Sequence, residues 1–75
     1  MATVSVQERY ARREDFARRL VEALAARGMA HGQLARDVGV TRACVSTWVR
    51  GISLPTGERA AAVERLVGVA VAVTR

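Results

Sequence analysis

Few residues of this chain could carry out acid–base or nucleophilic chemistry. It has one histidine, His31, and one cysteine, Cys44. Nucleophilic catalysis needs a nucleophile, a base and a group that orients the base, and no such set stands in plausible positions. One His and one Cys cannot build a four-ligand zinc site, and no Gly-rich phosphate loop occurs. The sequence therefore predicts a protein that is not an enzyme and that binds no metal, cofactor or small-molecule ligand.

The remaining chemistry is that of a cationic surface. All 12 basic residues are arginine, and the formal net charge is +5. A basic surface on a small protein suits a polyanion, most often nucleic acid. A GC-rich genome would explain the choice of Arg over Lys, but it would not explain the sign of the charge.

Arginine and short polar side chains come together between residues 41 and 50. Val45, Trp48 and Val49 recur there at helical spacing, which predicts a short helix with one buried side. The opposite side holds Arg42, Ala43, Ser46, Thr47 and Arg50. Arginine can bridge guanine O6 and N7, hydroxyls can bond bases or phosphates, and alanine can meet a thymine methyl group. Thr41 is a natural N-cap for this helix and could also contact a base.

A second short helix precedes this one. Met29, Leu34, Ala35 and Val38 form a short apolar face, and Gly39 permits a tight turn with positive φ. Helix, Gly-centred turn and helix over residues 29–51 match the helix-turn-helix plan, in which the first helix braces the second. The second helix is then expected to enter the major groove of DNA.

Flanking helices complete the predicted all-α fold. Apolar residues at Phe16, Leu20 and Leu24, with Ala17 and Val21 beside them, predict a first helix over Val6–Arg27, begun by a capping box at Ser5 and Glu8. The polar face of this helix carries four arginines, which either pair with acidic neighbours or contact flanking DNA: Arg12, Arg13, Arg18 and Arg19. Thr56 can cap a fourth helix with Ala60, Val63 and Val67 on its inner face and Leu66 at its side.

The tail, residues 69–75, fits two structures. Val69, Val71 and Val73 alternate with alanine, which favours a strand, whereas the spacing of Leu66, Val67, Ala70 and Val71 fits a continuing helix. A chain of 75 residues holds one domain at most and is only marginally stable alone. We therefore expect a single domain over residues 1–75 and a homodimer in which the tail takes part. One cysteine, no signal peptide and no membrane-length apolar run predict a cytoplasmic protein.

Several stretches of this sequence closely resemble the lambda-repressor/Cro-type, or XRE-type, helix-turn-helix family. They are Gln33-Leu34-Ala35, Val38-Gly39-Val40-Thr41-Arg42, Val45-Ser46, Trp48, Arg50-Gly51 and Pro55-Thr56. The resemblance extends from about residue 16 to 69. It implies four or five helices, homodimers and palindromic operators.

The same resemblance implies two sets of DNA-contacting residues. Those facing the bases would be Thr41, Arg42, Ala43, Ser46 and Thr47, and those near phosphates would be His31, Gln33, Arg50 and Ser53. Ala30 departs from the family's usual Ser or Thr, His31 from its Gln and Gly32 from its Glu. The second helix is therefore expected to be poorly capped, with a phosphate contact that is weaker or pH-dependent. The family's fifth helix is replaced by the Val/Ala tail.

These patterns together predict a sequence-specific regulator of transcription that binds double-stranded DNA, a small Cro-like or phage-type repressor in a prokaryotic or phage-infected cell. Two alternatives stay open. One is a protein-interaction module on the same fold, such as an antitoxin-like protein or a host-protein inhibitor. The other is a recombination-directionality or architectural DNA-binding factor, which would bend its duplex.

Overall fold

Four α-helices make up residues 6–71, the part of the chain that the computed structural model describes, with side chains described from residue 12. They are α1 (Val6–Arg27), α2 (His31–Val38), α3 (Arg42–Val49) and α4 (Gly57–Val67). No strand occurs between residues 6 and 71. The all-α prediction and the predicted bounds of α1 are confirmed. The predicted capping box at Ser5 and Glu8 lies outside the described residues.

A wholly apolar core holds the four helices together. Trp48 of α3 is its largest fully buried side chain, with 2% of its surface exposed. Around it lie residues from all four helices and the tail: Phe16, Leu20, Leu24, Leu34, Ala35, Val45, Val63, Val67 and Val69. Among the described side chains no polar or charged residue is buried. Buried polar groups need compensating hydrogen bonds. Because the described core buries no polar residue, it depends on apolar packing alone.

α1 presents one apolar stripe to the core and one polar face to solvent. Phe16 and Leu20 are completely buried, whereas Val21, at the edge of the stripe, is 45% exposed. On the polar face, Arg18 and Arg19 form ion pairs with Asp15, and their guanidinium groups donate to its carboxylate at 2.7 and 3.0 Å. The predicted pairing of the α1 arginines is thus confirmed for these two.

A glycine turn joins α2 to α3. Gly39 has φ +91° and ψ +34°, and its N–H donates to the Ala35 carbonyl at 2.8 Å. Val40 donates to the same carbonyl and packs partly against the core. A positive φ of this size is disfavoured for any residue with a Cβ atom, so glycine allows α3 to turn sharply away from α2.

α4 begins where the sequence predicts, but its buried face differs slightly. Thr56 takes the N-cap position, yet its side chain makes no capping hydrogen bond. Val63 and Val67 are buried as expected. Ala62 is buried where Ala60 was expected, and Ala60 is only half-buried. The helix packs against both α1 and α2, and its buried face takes in Ala62 beside Val63.

The tail follows neither of its two predicted structures as far as residue 71. Gly68, at φ +75°, ends α4, and residues 69–71 form neither strand nor helix. Val69 instead turns into the core, with 6% exposure. Nη2 of Arg19 donates to the Ala70 carbonyl at 3.2 Å and fixes the tail to α1. The strand prediction for residues 72–75 lies outside the described residues.

Candidate nucleic-acid interface

α3 has one side in the core and one side uncovered. Val45 and Trp48 are buried, and the helix is held from beneath by α1 and α2. Arg42 and Ala43 are exposed, and no part of the described chain covers them. An α-helix with its side chains is about 10–12 Å across, so an exposed helix fits the major groove of B-DNA, which is about 12 Å wide.

The exposed end of α3 is its amino terminus. Thr41 has extended backbone angles, φ −81° and ψ +158°, and its side-chain oxygen accepts from the Cys44 N–H at 3.1 Å. The hydrogen bond confirms the predicted cap. Because it fixes the first turn, Thr41, Arg42 and Ala43 project together from a rigid start of the helix.

Arg42 lies beside the start of α2. A Cβ atom built on Gly32 would stand 3.9 Å from Cδ of Arg42, so the arginine side chain passes over this glycine. His31 and Gln33, the predicted phosphate contacts, are exposed on the same turn of α2. Ala30 provides no capping hydrogen bond, as its side chain predicts. The structure therefore brings the proposed base reader and two proposed phosphate contacts close together.

The carboxyl end of α3 carries a pair of bonded hydroxyls. Oγ1 of Thr47 donates to the Cys44 carbonyl at 2.6 Å, and it lies 2.7 Å from Oγ of Ser53. A hydroxyl has one proton. Since Thr47 uses its proton on the carbonyl, Ser53 must be the donor between the two hydroxyls. Thr47 is thus left with its methyl group and acceptor capacity, and Ser53 has no proton to offer elsewhere.

The loop after α3 is held on two sides. The N–H groups of Ile52 and Ser53 both donate to the Thr47 carbonyl, at 2.9 and 3.4 Å. From α1, Nη1 of Arg13 donates to the Ile52 carbonyl at 3.1 Å. Gly51 has φ +74°, which favours glycine, and a Cβ atom there would be in ordinary van der Waals contact with α1, 3.7 Å from the Arg13 carbonyl oxygen.

Three predicted contacts are less exposed than the rest. Ser46, Thr47 and Ser53 are half-buried, whereas Arg50 is exposed at the C-cap of α3. The structure therefore groups the predicted residues at two ends of one helix: Thr41, Arg42 and Ala43 with α2, and Thr47, Arg50 and Ser53 with the loop. Ser46 lies between the two groups.

Sequence reasoning did not identify the cleft between α1 and this loop. It has a volume of about 400 Å³ and is lined by Arg12, Arg13, Ile52, Ser53 and Leu54. Ile52 is 54% exposed there. The two adjacent arginines were a signal in the sequence, but only the fold shows that they face the end of α3.

The segment that contains α3 carries charges of one sign. No acidic residue occurs between Asp37 and Glu58, whereas Arg42 and Arg50 lie within that stretch. Within residues 6–71, no three His, Cys, Asp or Glu side chains are grouped so that they could hold a metal ion. None of the helices described combines the length and hydrophobicity that spanning a bilayer requires.

Comparison with known proteins gives one result. A family model described as Helix-turn-helix matches residues 20–73, which include α2, the glycine turn, α3 and α4. No curated protein and no solved structure matches the chain. The family is one of DNA-binding domains and is not typically enzymatic. Because the match covers well over half of the sequence and the structure contains the motif, the chain belongs to the lambda-repressor-like, XRE-type helix-turn-helix family.

Proposed function

We propose that this protein is a sequence-specific transcriptional regulator, a small Cro-like or phage-type repressor that binds a palindromic operator as a homodimer. It would act in the cytoplasm of a prokaryotic or phage-infected cell, on the nucleoid or on phage DNA. One observation carries the proposal: α3 buries Val45 and Trp48 and leaves Arg42 and Ala43 uncovered on its other side. A helix braced from within and open on its outer side can enter a major groove without any rearrangement.

Base reading would begin at the capped amino end of α3. Arg42 can donate two hydrogen bonds to guanine O6 and N7, and Ala43 can contact a thymine methyl group. Ser46 would reach the middle of the same site. Thr47, with its proton bound to the Cys44 carbonyl, would read a base by its methyl group or by accepting from an exocyclic amine. Thr41 would add a contact to its capping role.

Phosphate contacts would orient the domain on the duplex. His31 and Gln33 lie on the exposed first turn of α2 and Arg50 at the end of α3, so they would touch the backbone on opposite sides of the groove. Ser53 would contact the backbone on the same side as Arg50, although both its hydroxyl and its N–H have partners within the protein. Such contacts fix register and carry no sequence information directly.

Symmetry follows from the proposed dimer. Two copies related by a two-fold axis would place their α3 helices in successive major grooves on one side of the duplex. Their half-sites would be about one helical turn, roughly 34 Å, apart. Regulation would then come from protein concentration or from competition at the operator.

The experiment that tests this function is selection of bound duplexes from a random pool, followed by sequencing. We expect a palindromic consensus with half-sites about 10 base pairs apart, and sedimentation should show two protomers per duplex. Wild-type protein that enriches no sequence would contradict the proposal. Enrichment of a single asymmetric site would exclude the symmetric dimer.

Salt dependence separates DNA binding from the alternative of a protein-interaction module. Each phosphate neutralised by a cation contributes about 0.9 to the slope of log K against log salt concentration. We therefore expect affinity for the selected duplex to fall steeply between 50 and 200 mM salt. A protein that makes six or more phosphate contacts loses roughly 10³-fold or more in affinity over this range. A flat salt profile would favour the interaction module.

A further inference from the structure

The loop after α3 has few free donors with which to hold a phosphate. The Ile52 and Ser53 N–H groups donate to the Thr47 carbonyl, and the Ser53 hydroxyl pairs with Thr47 Oγ1. A phosphate oxygen accepts hydrogen bonds and needs donors. Whatever holds the DNA backbone at this end of α3 must therefore come largely from side chains outside the loop backbone.

Two arginines of α1 face this loop across the cleft of about 400 Å³. Arg13 uses Nη1 to hold the Ile52 carbonyl at 3.1 Å, which makes it a positioning residue for the loop. Arg12 is exposed. Among the described side chains, no Asp or Glu lies within ion-pair distance of Arg12.

The charge distribution along α1 distinguishes its two ends. Arg18 pairs with Asp15 and Glu22, at 2.7 and 3.6 Å, and Arg19 pairs with Asp15. These ion pairs neutralise the middle of the polar face. The end beside the carboxyl terminus of α3 holds Arg12 and Arg13 against one exposed carboxylate, Glu14, so it keeps a net positive charge among its described side chains.

We infer that the cleft between α1 and the loop is a phosphate-binding site for the DNA backbone, in which Arg12 is the principal contact and Arg13 holds the loop that forms the opposite wall. This inference rests on the proposed function and adds a contact from outside the helix-turn-helix. A guanidinium can donate two parallel hydrogen bonds to one phosphate. The cleft would bind a phosphate of the DNA strand that borders the major groove occupied by α3.

The test is Arg12→Gln, with Arg27→Gln as the matched control. Both residues are exposed arginines of α1, and 15 positions at 1.5 Å per residue separate them by about 22 Å. Both substitutions remove one charge and keep a side chain with good helix propensity. Binding of the full chain to its selected duplex would be measured by fluorescence anisotropy from 50 to 200 mM salt.

We expect Arg12→Gln to lower the salt slope by about 0.9 per protomer, since one phosphate contact is lost. The ratio of wild-type to variant affinity should then change about 3.5-fold per protomer over this fourfold range of salt. Arg27→Gln should leave the slope close to that of the wild type. Equal effects of the two substitutions would overturn the inference, because they would show a general charge effect.

Duplexes with single neutral methylphosphonates locate the contact. Wild-type protein should lose affinity when the gripped phosphate is neutralised, and Arg12→Gln should be insensitive at that one position. If Arg12→Gln keeps the full wild-type pattern and slope, the cleft does not bind phosphate, although the proposed function stands. If wild-type protein binds no duplex at all, both the inference and the proposed function fail.

Discussion

Two threonines of this chain offer a matched measurement of what a helix cap contributes. Thr41 and Thr56 both occupy an N-cap position with extended backbone, at ψ +158° and +161°. Only Thr41 accepts a hydrogen bond, from the Cys44 N–H at 3.1 Å. The substitutions Thr41→Ala and Thr56→Ala therefore remove the same atoms, and only the first removes a hydrogen bond.

The expected cost of Thr41→Ala is about 1 kcal/mol, within the range of roughly 0.5–2 kcal/mol found for caps that bond. For a domain of this size that corresponds to a fall in Tm of about 4–8 °C. Thr56→Ala should cost only a few tenths of a kcal/mol, because no bond is lost. Thermal unfolding followed by circular dichroism at 222 nm, together with urea titrations, would give both free energies.

A cost of Thr56→Ala equal to or greater than that of Thr41→Ala would refute this reasoning. The loss would then come from backbone entropy or side-chain packing at the N-cap and would not depend on the hydrogen bond. Unchanged m-values are required of both variants, since a change in m would mean that the compactness of one state had changed.

Three other substitutions test the structure and its proposed site. Ala30→Ser should stabilise the fold by about 1 kcal/mol, because the extended N-cap backbone of α2 already stands ready for a side-chain bond to the Gln33 N–H; an unchanged urea midpoint would count against this. Gly39→Ala should destabilise by about 1–2 kcal/mol through backbone strain alone, since φ is +91° and nothing lies within 4 Å of the added Cβ, and Gly39→Asn should lose less. Arg42→Ala should cost about 1–3 kcal/mol of binding free energy and relax preference at one base pair, and an equal loss on every sequence would make Arg42 a phosphate contact.

The elements that sequence could predict are those with local causes. Gly39 and Thr41 act through the backbone of their own turn, and the stripe of Phe16, Leu20 and Leu24 follows from helical periodicity alone. These signals sufficed for four helices, for the bounds of α1 and for the buried position of Trp48. The exposed start of α3 followed directly, because it is the side that the apolar positions leave free.

What sequence could not predict depends on contacts between distant segments. The hydroxyl pair of Thr47 and Ser53 exists because the loop folds back on α3, and it changes which donors are free. The bond from Arg13 to Ile52 joins residues 39 positions apart. The prediction for residues 69–71 was wrong for a similar reason: the alternation of valine with alanine is a local pattern, whereas the burial of Val69 depends on its packing into the core formed by the helices.

The fixed position of the tail limits how this protein can be cut or labelled. Val69 is buried at 6% exposure and the Ala70 carbonyl is bonded to Arg19. Removing Val69 would withdraw about 1.5–3 kcal/mol of hydrophobic burial, so any loss of self-association in such a variant would be confounded with a loss of folding stability. A truncation meant to probe assembly should therefore begin after Val71, and a fluorophore or affinity tag belongs beyond the same point.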